Sequence, residues 1–407
     1  MSLSEVPLIV MLVGLVAYAV LGGADFGAGF WQLLGGSGDR SRAIREHAHH
    51  SMGPVWETNH VWLIFLLVIC WTAYPTAFAS IMSTLEVPIF VAGIGIILRG
   101  TAYALRSGTA TPREQRTVET VFGLSSILTP FALGAVIGGI ASARVPVGNA
   151  EGDLVTSWLN PTSIFIGILA VATAAYLAAV YLAADAVRLG RTDLAQAFRA
   201  RALGTGAVAG ALAIAGLGVV RDDARPIWDG LTSGAGLGAV VVSVAAGLVT
   251  VGLVWKGRFE PARATAALAV AAIVGGWALA QRPRFLPGLS IEEAAAGRST
   301  LIALLVGVAV GSLVLIPALA LLFGLKLRGQ LGEPPAGVVA PAPILEAGEI
   351  AGSSRLIAVA AGCLAIGSGL VFLFESSWAH VLGSFFLLAF VASGLIALAK
   401  SAGELEA

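Results

Sequence analysis

The sequence predicts an all-α fold, a polytopic integral membrane bundle of helices. Apolar residues make up 57% of the 407 residues, and charged residues make up only 12%. The apolar residues gather into long runs separated by short polar stretches, which is typical of a multi-spanning helical protein. The formal net charge is zero and the arginines are spread over many connections, so no basic surface for nucleic acid is predicted.

Eleven apolar runs are each long enough to cross roughly 30 Å of hydrocarbon as a helix that rises about 1.5 Å per residue. They are Val6–Leu34, Val55–Phe78, Ser83–Leu105, Val118–Ala141, Pro161–Leu189, Ala202–Val220, Gly230–Trp255, Ala264–Ala280, Thr300–Leu325, Leu356–Phe374 and Val381–Ala399. The first run is too long for a signal-peptide core, so we expect it to remain as a span. Cys70 and Cys363 lie inside runs and form no CxxC pair.

Lysine and arginine are shared unevenly between alternate connections. The richer set holds 17 of the 24 basic residues and consists of the connections 35–54, 106–117, 188–201, 256–263 and 326–355 and the C-terminal tail. The opposite set holds 6, and Arg99 lies inside a run. Because positively charged loops stay in the cytoplasm, we expect the N-terminus outside and the C-terminus inside.

Several side chains that are costly in a membrane fall in the cytoplasmic third of the predicted spans. They are Asp25, Glu57, His60, Arg99 and Asp185. Intramembrane ionisable residues are commonly functional, and short connections favour neighbouring helices, so we expect these residues to form one cluster. Glu86 begins its run from the opposite side and is a separate feature.

The first run ends in Gly22-Gly23-Ala24-Asp25-Phe26-Gly27-Ala28-Gly29, in which Gly23 and Gly27 form a GxxxG face. Helix faces made of small residues let helices approach closely in lipid, so we assign these glycines to helix packing. Asp25 either takes part in proton chemistry or merely faces the packing interface.

The connection that follows, 39–50, is predicted to be a short amphipathic helix on the membrane surface. Its His47, His49 and His50 suggest a metal site. The neighbouring arginines oppose a bound cation, however, so a solvated basic loop is the preferred interpretation.

The stretch Gly-Pro-Val-Trp-Glu-Thr-Asn-His-Val-Trp-Leu-Ile at 53–64 is the densest polar motif in the spans. Trp56, Glu57 and His60 share one face of the predicted helix, with Asn59 beside them. We interpret these four residues, with Asp25 and Arg99, as candidates for a proton pathway. The alternative is that Glu57 only stabilises its helix through the dipole, by a few tenths of a kcal/mol to about 1 kcal/mol.

A self-contained haem site is not predicted. His60 lies near the cytoplasmic surface, whereas His380 lies near the outer one, and Met11 and Met82 also lie toward the outer side. Axial ligands must meet at one depth, so none of these pairs fits a haem.

Three motifs together resemble subunit II of cytochrome bd quinol oxidase. They are Gly22-Gly23-Ala24-Asp25-Phe26-Gly27, then the whole stretch from Gly53 to Ile64, then Leu98-Arg99-Gly100-Thr101-Ala102-Tyr103 with Arg106. The resemblance implies a complex in the bacterial plasma (inner) membrane that oxidises quinol, reduces O2 to water and takes protons from the cytoplasm. Asp25 and Glu57 match acidic positions implicated in proton delivery in that family.

The resemblance also implies the partners and cofactors. Two b-type haems and one d-type haem are expected on subunit I, and none on this chain, which would support subunit I within membrane lipid. A small accessory subunit is left open. The chain is not expected to be active alone.

The family commonly has nine helices, which implies a division of this chain. Residues 1–141 would form a first four-helix bundle, 161–280 a second, and 300–328 the ninth helix, while 329–407 would be a linker and two extra spans. A weak repeat supports the duplication, because the segment from Tyr18 to Asp25 has a counterpart from Tyr176 to Asp185. A proton- or ion-coupled secondary transporter and a purely structural scaffold remain as alternatives.

Overall fold

The structure is a computed structural model that describes residues 2–36, 39–52, 56–106, 111–327, 354–373, 376, 378–379, 381–390 and 393. It divides into two units, Met1–Leu315 and Ile316–Ala407. Helices account for nearly all of the regular structure in the described residues, so the predicted all-α fold is confirmed. Eight of the described helices are long and apolar enough to cross a membrane, and three shorter apolar helices accompany them.

The first unit contains almost every element of the described structure. Its helices are α1 (Val6–Ala17), α2 (Gly23–Leu33), α3 (Asp39–Met52), α4 (Trp56–Ala73), α5 (Pro75–Thr84), α6 (Glu86–Leu105), α7 (Pro112–Ala141), α8 (Pro161–Arg188), α9 (Thr192–Asp223), α10 (Arg225–Leu231), α11 (Gly234–Trp255), α12 (Phe259–Gln281), α13 (Ile291–Ala294) and most of α14 (Arg298–Leu327). A short hairpin pairs β1 (Arg284–Leu286) with β2 (Leu289–Ser290). In the second unit, α15 (Ser354–Leu373) packs through Gly367 against Gly383 and Leu387.

The first span contains a π-helix in its middle. This π-helix, Tyr18–Gly22, joins α1 to α2, and together they belong to one candidate membrane span, Leu3–Leu33. Such single-turn insertions are rare and frequently mark functional sites. The insertion lies directly before Asp25, so it shifts the side chains of α1 relative to those of α2.

The second predicted span, Val55–Phe78, is not continuous. Helix α4 ends at Ala73, Tyr74 leaves the helical conformation, and α5 begins at Pro75. Proline lacks the N–H of the helical hydrogen bond and restricts the residue before it, which explains the break. Ala224 interrupts the chain between α9 and α10 with nearly the same backbone angles as Tyr74.

Helix α2 is packed tightly between α7 and α8. A Cβ added at Gly27 would lie 1.9 Å from the carbonyl oxygen of Ala174 in α8, and one at Gly29 would lie 2.1 Å from Ser126 Oγ in α7. The Trp31 Nε1–H donates to the Ala175 carbonyl at 2.8 Å. The glycines of the first motif therefore serve helix packing, as the sequence predicted.

Helix α3 confirms the predicted helix but corrects its environment. Ile44, His47 and Ala48 are buried, with His47 only 1% exposed. The His47 ring lies 5.7 Å from the ring of Phe198 in α9, and its Nε2 is 3.0 Å from the carbonyl oxygen of Leu182 in α8. The expectation of a solvated loop is wrong for this face, because the amphipathic helix buries it against protein.

One carboxylate links the segment after α7, the start of α8 and the end of α9 by hydrogen bonds. Asp223, at the end of α9, accepts two bonds from the Arg144 guanidinium, at 2.5 and 3.0 Å. It also accepts from the Thr162 hydroxyl at 2.6 Å and from the Thr162 backbone N–H at 3.1 Å, in the first turn of α8. The bidentate pair and the helix N-terminus both favour the charged carboxylate.

We predict that Gly27→Ala destabilises the fold. The new methyl group would overlap the Ala174 backbone, and overpacking of this kind costs about 1–3 kcal/mol. Thermal unfolding in detergent should show a lowered midpoint. Gly93→Ala on α6 is the control, because an added Cβ there meets no atom within 4 Å. Equal midpoints for the two variants would contradict the assigned packing.

Candidate functional site

The candidate site is built around a buried ion pair between two spans. Asp25 on α2 is 5% exposed and Arg99 on α6 is 1% exposed. Arg99 Nη2 donates to Asp25 Oδ1 at 2.7 Å and to the Asp25 backbone oxygen at 3.1 Å. Charges buried this deeply persist only when they are paired and hydrogen-bonded. The pair joins two of the motifs that the sequence singled out.

Two phenyl rings hold the Arg99 guanidinium in place. Its central carbon lies 4.6 Å from the ring centroid of Phe26 on α2 and 4.7 Å from that of Phe122 on α7. A guanidinium over an aromatic face gains cation–π attraction, which strengthens when water is excluded. Sequence reasoning missed Phe122. Its only signal was an aromatic residue in a long apolar run, which ordinarily indicates core packing.

Helix α4 contributes Asn59 and His60. The Asn59 amide Nδ2 donates to the Leu21 carbonyl of the π-helix at 3.2 Å, and the His60 ring packs edge-on against Phe26 at 6.5 Å. Both side chains lie within electrostatic reach of the Asp25 carboxylate. The structure thus brings Asp25, Asn59, His60 and Arg99 together. Trp56 and Glu57 belong to the first turn of α4, but their side chains lie outside the described residues.

Asp185 does not join this group. Its Oδ1 lies 3.1 Å from Arg263 Nη1 and 3.7 Å from Arg188 Nη1, in a partly exposed set of ion pairs at the end of α8. The expectation of a single cluster that includes Asp185 is therefore wrong. The reason is tertiary, because the start of α12 supplies a nearer counter-charge. Glu86 is exposed in the first turn of α6, apart from the site.

The described histidines have different neighbours. His47 directs Nε2 at a backbone carbonyl, His49 packs on the Tyr103 ring at 5.4 Å, and His60 packs on Phe26. Within the described residues, no three His, Cys, Asp or Glu side chains are grouped to hold a metal ion. His380 lies outside the described residues.

Fold and site together define a multi-pass helical membrane protein with a buried, polar, charge-paired centre between its first spans. Residues 3–325 match the family model described as cytochrome bd terminal oxidase subunit II. The chain belongs to this family, and the resemblance that the three motifs predicted is confirmed.

Relatives and a solved structure agree with this assignment. A Bacillus subtilis (strain 168) protein named as subunit II of a cytochrome bd menaquinol oxidase is 27% identical over 222 residues, 53% of this chain and 61% of that protein. Subunit 2 of the cytochrome bd-I ubiquinol oxidase of Escherichia coli (strain K12) is 26% identical over 181 residues, 42% of this chain and 46% of that protein. The matched segments thus span less than two thirds of these relatives.

The fold is also that of one chain in a solved structure. The chain superposes on the structure of bd oxidase from Geobacillus thermodenitrificans with a TM-score of 0.67 and 24% identity, covering 81% of this chain and 99% of that one. Residues beyond 325 lie outside the family match.

We predict that Arg99→Gln destabilises the protein strongly. Removing one partner of a buried pair leaves the other charge uncompensated, which costs about 3–5 kcal/mol. Adding Asp25→Asn to this variant should recover part of the loss in thermal unfolding. Arg225→Gln is the control, because its pair with Asp229 is exposed and such pairs contribute about 0–1 kcal/mol. If the effects of Arg99→Gln and Asp25→Asn on the unfolding midpoint simply add in the double variant, the two residues are not coupled.

Proposed function

We propose that this chain is the haem-poor subunit II of a quinol oxidase complex that couples quinol oxidation to the reduction of O2 to water. Its part is to support subunit I and to carry protons from the cytoplasm toward the site of O2 reduction. The observation that carries this proposal is the buried Asp25–Arg99 pair, with Asn59 and His60 beside it. Family membership supplies the setting.

The site is chemically suited to moving a proton. A carboxylate, an imidazole and a buried guanidinium lie around the Phe26 ring, so a proton can pass between acid and base within one low-dielectric region. Transfer between His60 and Asp25 leaves the total charge of the site unchanged. Conserving the buried charge avoids the large cost of creating a new one inside the membrane.

Glu57 is proposed as the entry to this site. It lies in the first turn of α4, one helical turn before His60, in the stretch that follows the basic helix α3. The positive end of the α4 dipole favours the charged carboxylate of Glu57. This carboxylate can accept a proton from water. Trp56 would flank it. The proposed path therefore runs from Glu57 to His60 and Asp25, with Arg99 as the fixed counter-charge.

The haems are proposed to reside on subunit I. Bound there, they would supply electron transfer and O2 reduction, whereas this chain would supply protons and packing surface. Membrane lipid and quinol complete the proposed partners. Whether the complex contains a small accessory subunit is left open. We place the complex in the bacterial plasma membrane, with the N-terminus outside, on the strength of the basic connections.

The division into bundles at 1–141 and 161–280, with 300–328 as a ninth helix, is also part of this proposal. Close packing of α8 on α9 and of α11 on α12 supports a second bundle. Residues 329–407 are proposed as an extension outside this core. Of them, residues 329–353 lie outside the described residues.

We predict that Glu57→Gln slows quinol-driven O2 consumption per haem by at least about tenfold, because glutamine cannot exchange a proton. Glu57→Asp should keep much of the activity, since the shorter acid still titrates. Glu86→Gln is the control, an exposed acid at the far end of α6. If Glu57 only stabilises its helix, the glutamine variant will turn over normally with a lower unfolding midpoint.

We also predict that the chain expressed alone shows no b-type or d-type haem absorption, whereas co-expression with subunit I yields both. The reason is that the candidate ligands in the sequence lie at different depths in the predicted spans. Spectra of the purified membranes test this directly. Stoichiometric haem on the isolated chain would contradict the proposed division of labour.

A further inference from the structure

We infer that Tyr18 is a further positioning residue of the site and that Tyr18, Asp25 and Asn59 together bind one water molecule behind the Asp25–Arg99 pair. This inference rests on the proposed proton path. It adds a residue that the sequence motifs do not contain and a ligand, water or its protonated form, that would be the immediate proton carrier at Asp25.

The Tyr18 ring is directed along the span toward Gly22 and Phe26. A Cβ added at Gly22 would lie 3.2 Å from two carbons of the Tyr18 ring, so this ring lies flat over Gly22. It then meets the Phe26 ring edge-on at 6.3 Å. Helical side chains ordinarily lean toward the N-terminus. Here the π-helix and the missing Cβ of Gly22 allow the opposite direction.

Three buried oxygen atoms are left without a partner among the described residues. They are the Tyr18 hydroxyl, Asp25 Oδ2 and Asn59 Oδ1. Their residues are 7%, 5% and 1% exposed. Buried polar atoms are nearly always hydrogen-bonded, to protein or to ordered water, so each of these three atoms requires a ligand, and we assign one water to all three.

The three residues are linked through the same turn of the first span. Asn59 Nδ2 donates to Leu21, inside the π-helix, which fixes the amide so that Oδ1 is the remaining atom. Asn59 also lies within electrostatic reach of Asp25, and the charges of Asp25 and Arg99 act on the Tyr18 hydroxyl. The Leu21 carbonyl, which lies between Tyr18 and Asp25 in the chain, thus contacts α4 through Asn59.

The donor and acceptor pattern matches water. A water molecule has two O–H donors and can accept hydrogen bonds on its oxygen. The Asp25 and Asn59 oxygens can only accept, and the Tyr18 hydroxyl can donate. A metal cation would also bind three oxygens, but the Arg99 guanidinium already neutralises Asp25 at 2.7 Å. Water is therefore favoured over a cation.

The proposed step moves one proton and no electrons. The bound water, protonated from the cytoplasmic side, gives a proton to Asp25 Oδ2 and returns to a neutral molecule. Asp25 later releases this proton onward and again becomes a carboxylate. Tyr18 and Asn59 keep their own protons throughout and hold the water in line with Oδ2.

The test uses the assembled oxidase complex and Tyr18→Phe, which removes only the hydroxyl. We expect turnover to fall about threefold to tenfold, the equivalent of one hydrogen bond, with haem content retained. Infrared difference spectra in H2¹⁸O should show a water O–H band that shifts with the isotope in the original protein and is lost in the variant. Gly22→Ala should weaken the same band, since the new methyl displaces the Tyr18 ring.

Tyr74→Phe is the matched control. Tyr74 is a second buried tyrosine, and its hydroxyl already donates to the Ser4 carbonyl at 2.6 Å, so removing this hydroxyl should change neither turnover per haem nor the water band. Loss of turnover in Tyr18→Phe with an unchanged water band would overturn the inference in favour of a structural role. Activity that requires added Na⁺ would overturn it in favour of a cation.

Failure of this inference can be told apart from failure of the proposed function. If Asp25→Asn slows turnover and Tyr18→Phe leaves turnover and band unchanged, only the Tyr18 assignment is wrong. If Asp25→Asn turns over normally, the proton path itself is wrong, whatever the tyrosine variant does.

Discussion

The buried charge of Arg99 is the constraint on which the centre of this protein depends. A guanidinium that is 1% exposed needs a counter-charge, and it needs neighbouring side chains that hold the guanidinium and the counter-charge in position. Asp25 supplies the charge from α2, and Phe26 and Phe122 enclose the planar faces from α2 and α7. Three helices must therefore meet at one depth. The glycines and small residues that surround this point follow from that requirement.

Close approach of backbones is how the helices meet this requirement. Gly27 lets α2 contact α8, and Gly29 lets it contact Ser126 of α7. Gly95, one turn before Arg99, faces Thr129 of α7, where an added Cβ would lie 2.3 Å from Oγ1. The hydroxyls of Ser126 and Thr129 are themselves bonded to carbonyls one turn back. Small residues and satisfied hydroxyls thus bring the ion pair together without leaving polar groups exposed to lipid.

Two turns within the second predicted bundle are built alike. The turns between α8 and α9 and between α11 and α12 contain Gly190 and Gly257, with φ of 70° and 71°. Glycine adopts this left-handed conformation without a steric penalty, which explains both positions. The weak sequence repeat between Tyr18–Asp25 and Tyr176–Asp185 does not extend to the ion pairs, because Asp185 pairs with Arg263 whereas Asp25 pairs with Arg99. A repeat of helices is therefore no guide to a repeat of function.

The sequence by itself determined the class of fold, most helix positions and four of the described members of the site. Hydrophobic run length decides whether a helix can span a membrane, and three motifs with unusual polar residues identify a family. The tertiary structure decided what depends on the direction of side chains between distant helices. It placed Phe122 against Arg99, removed Asp185 from the cluster, buried His47 on Phe198 and laid the Tyr18 ring over Gly22. Local patterns specify which face of a helix is polar, but only packing specifies which neighbour that face meets.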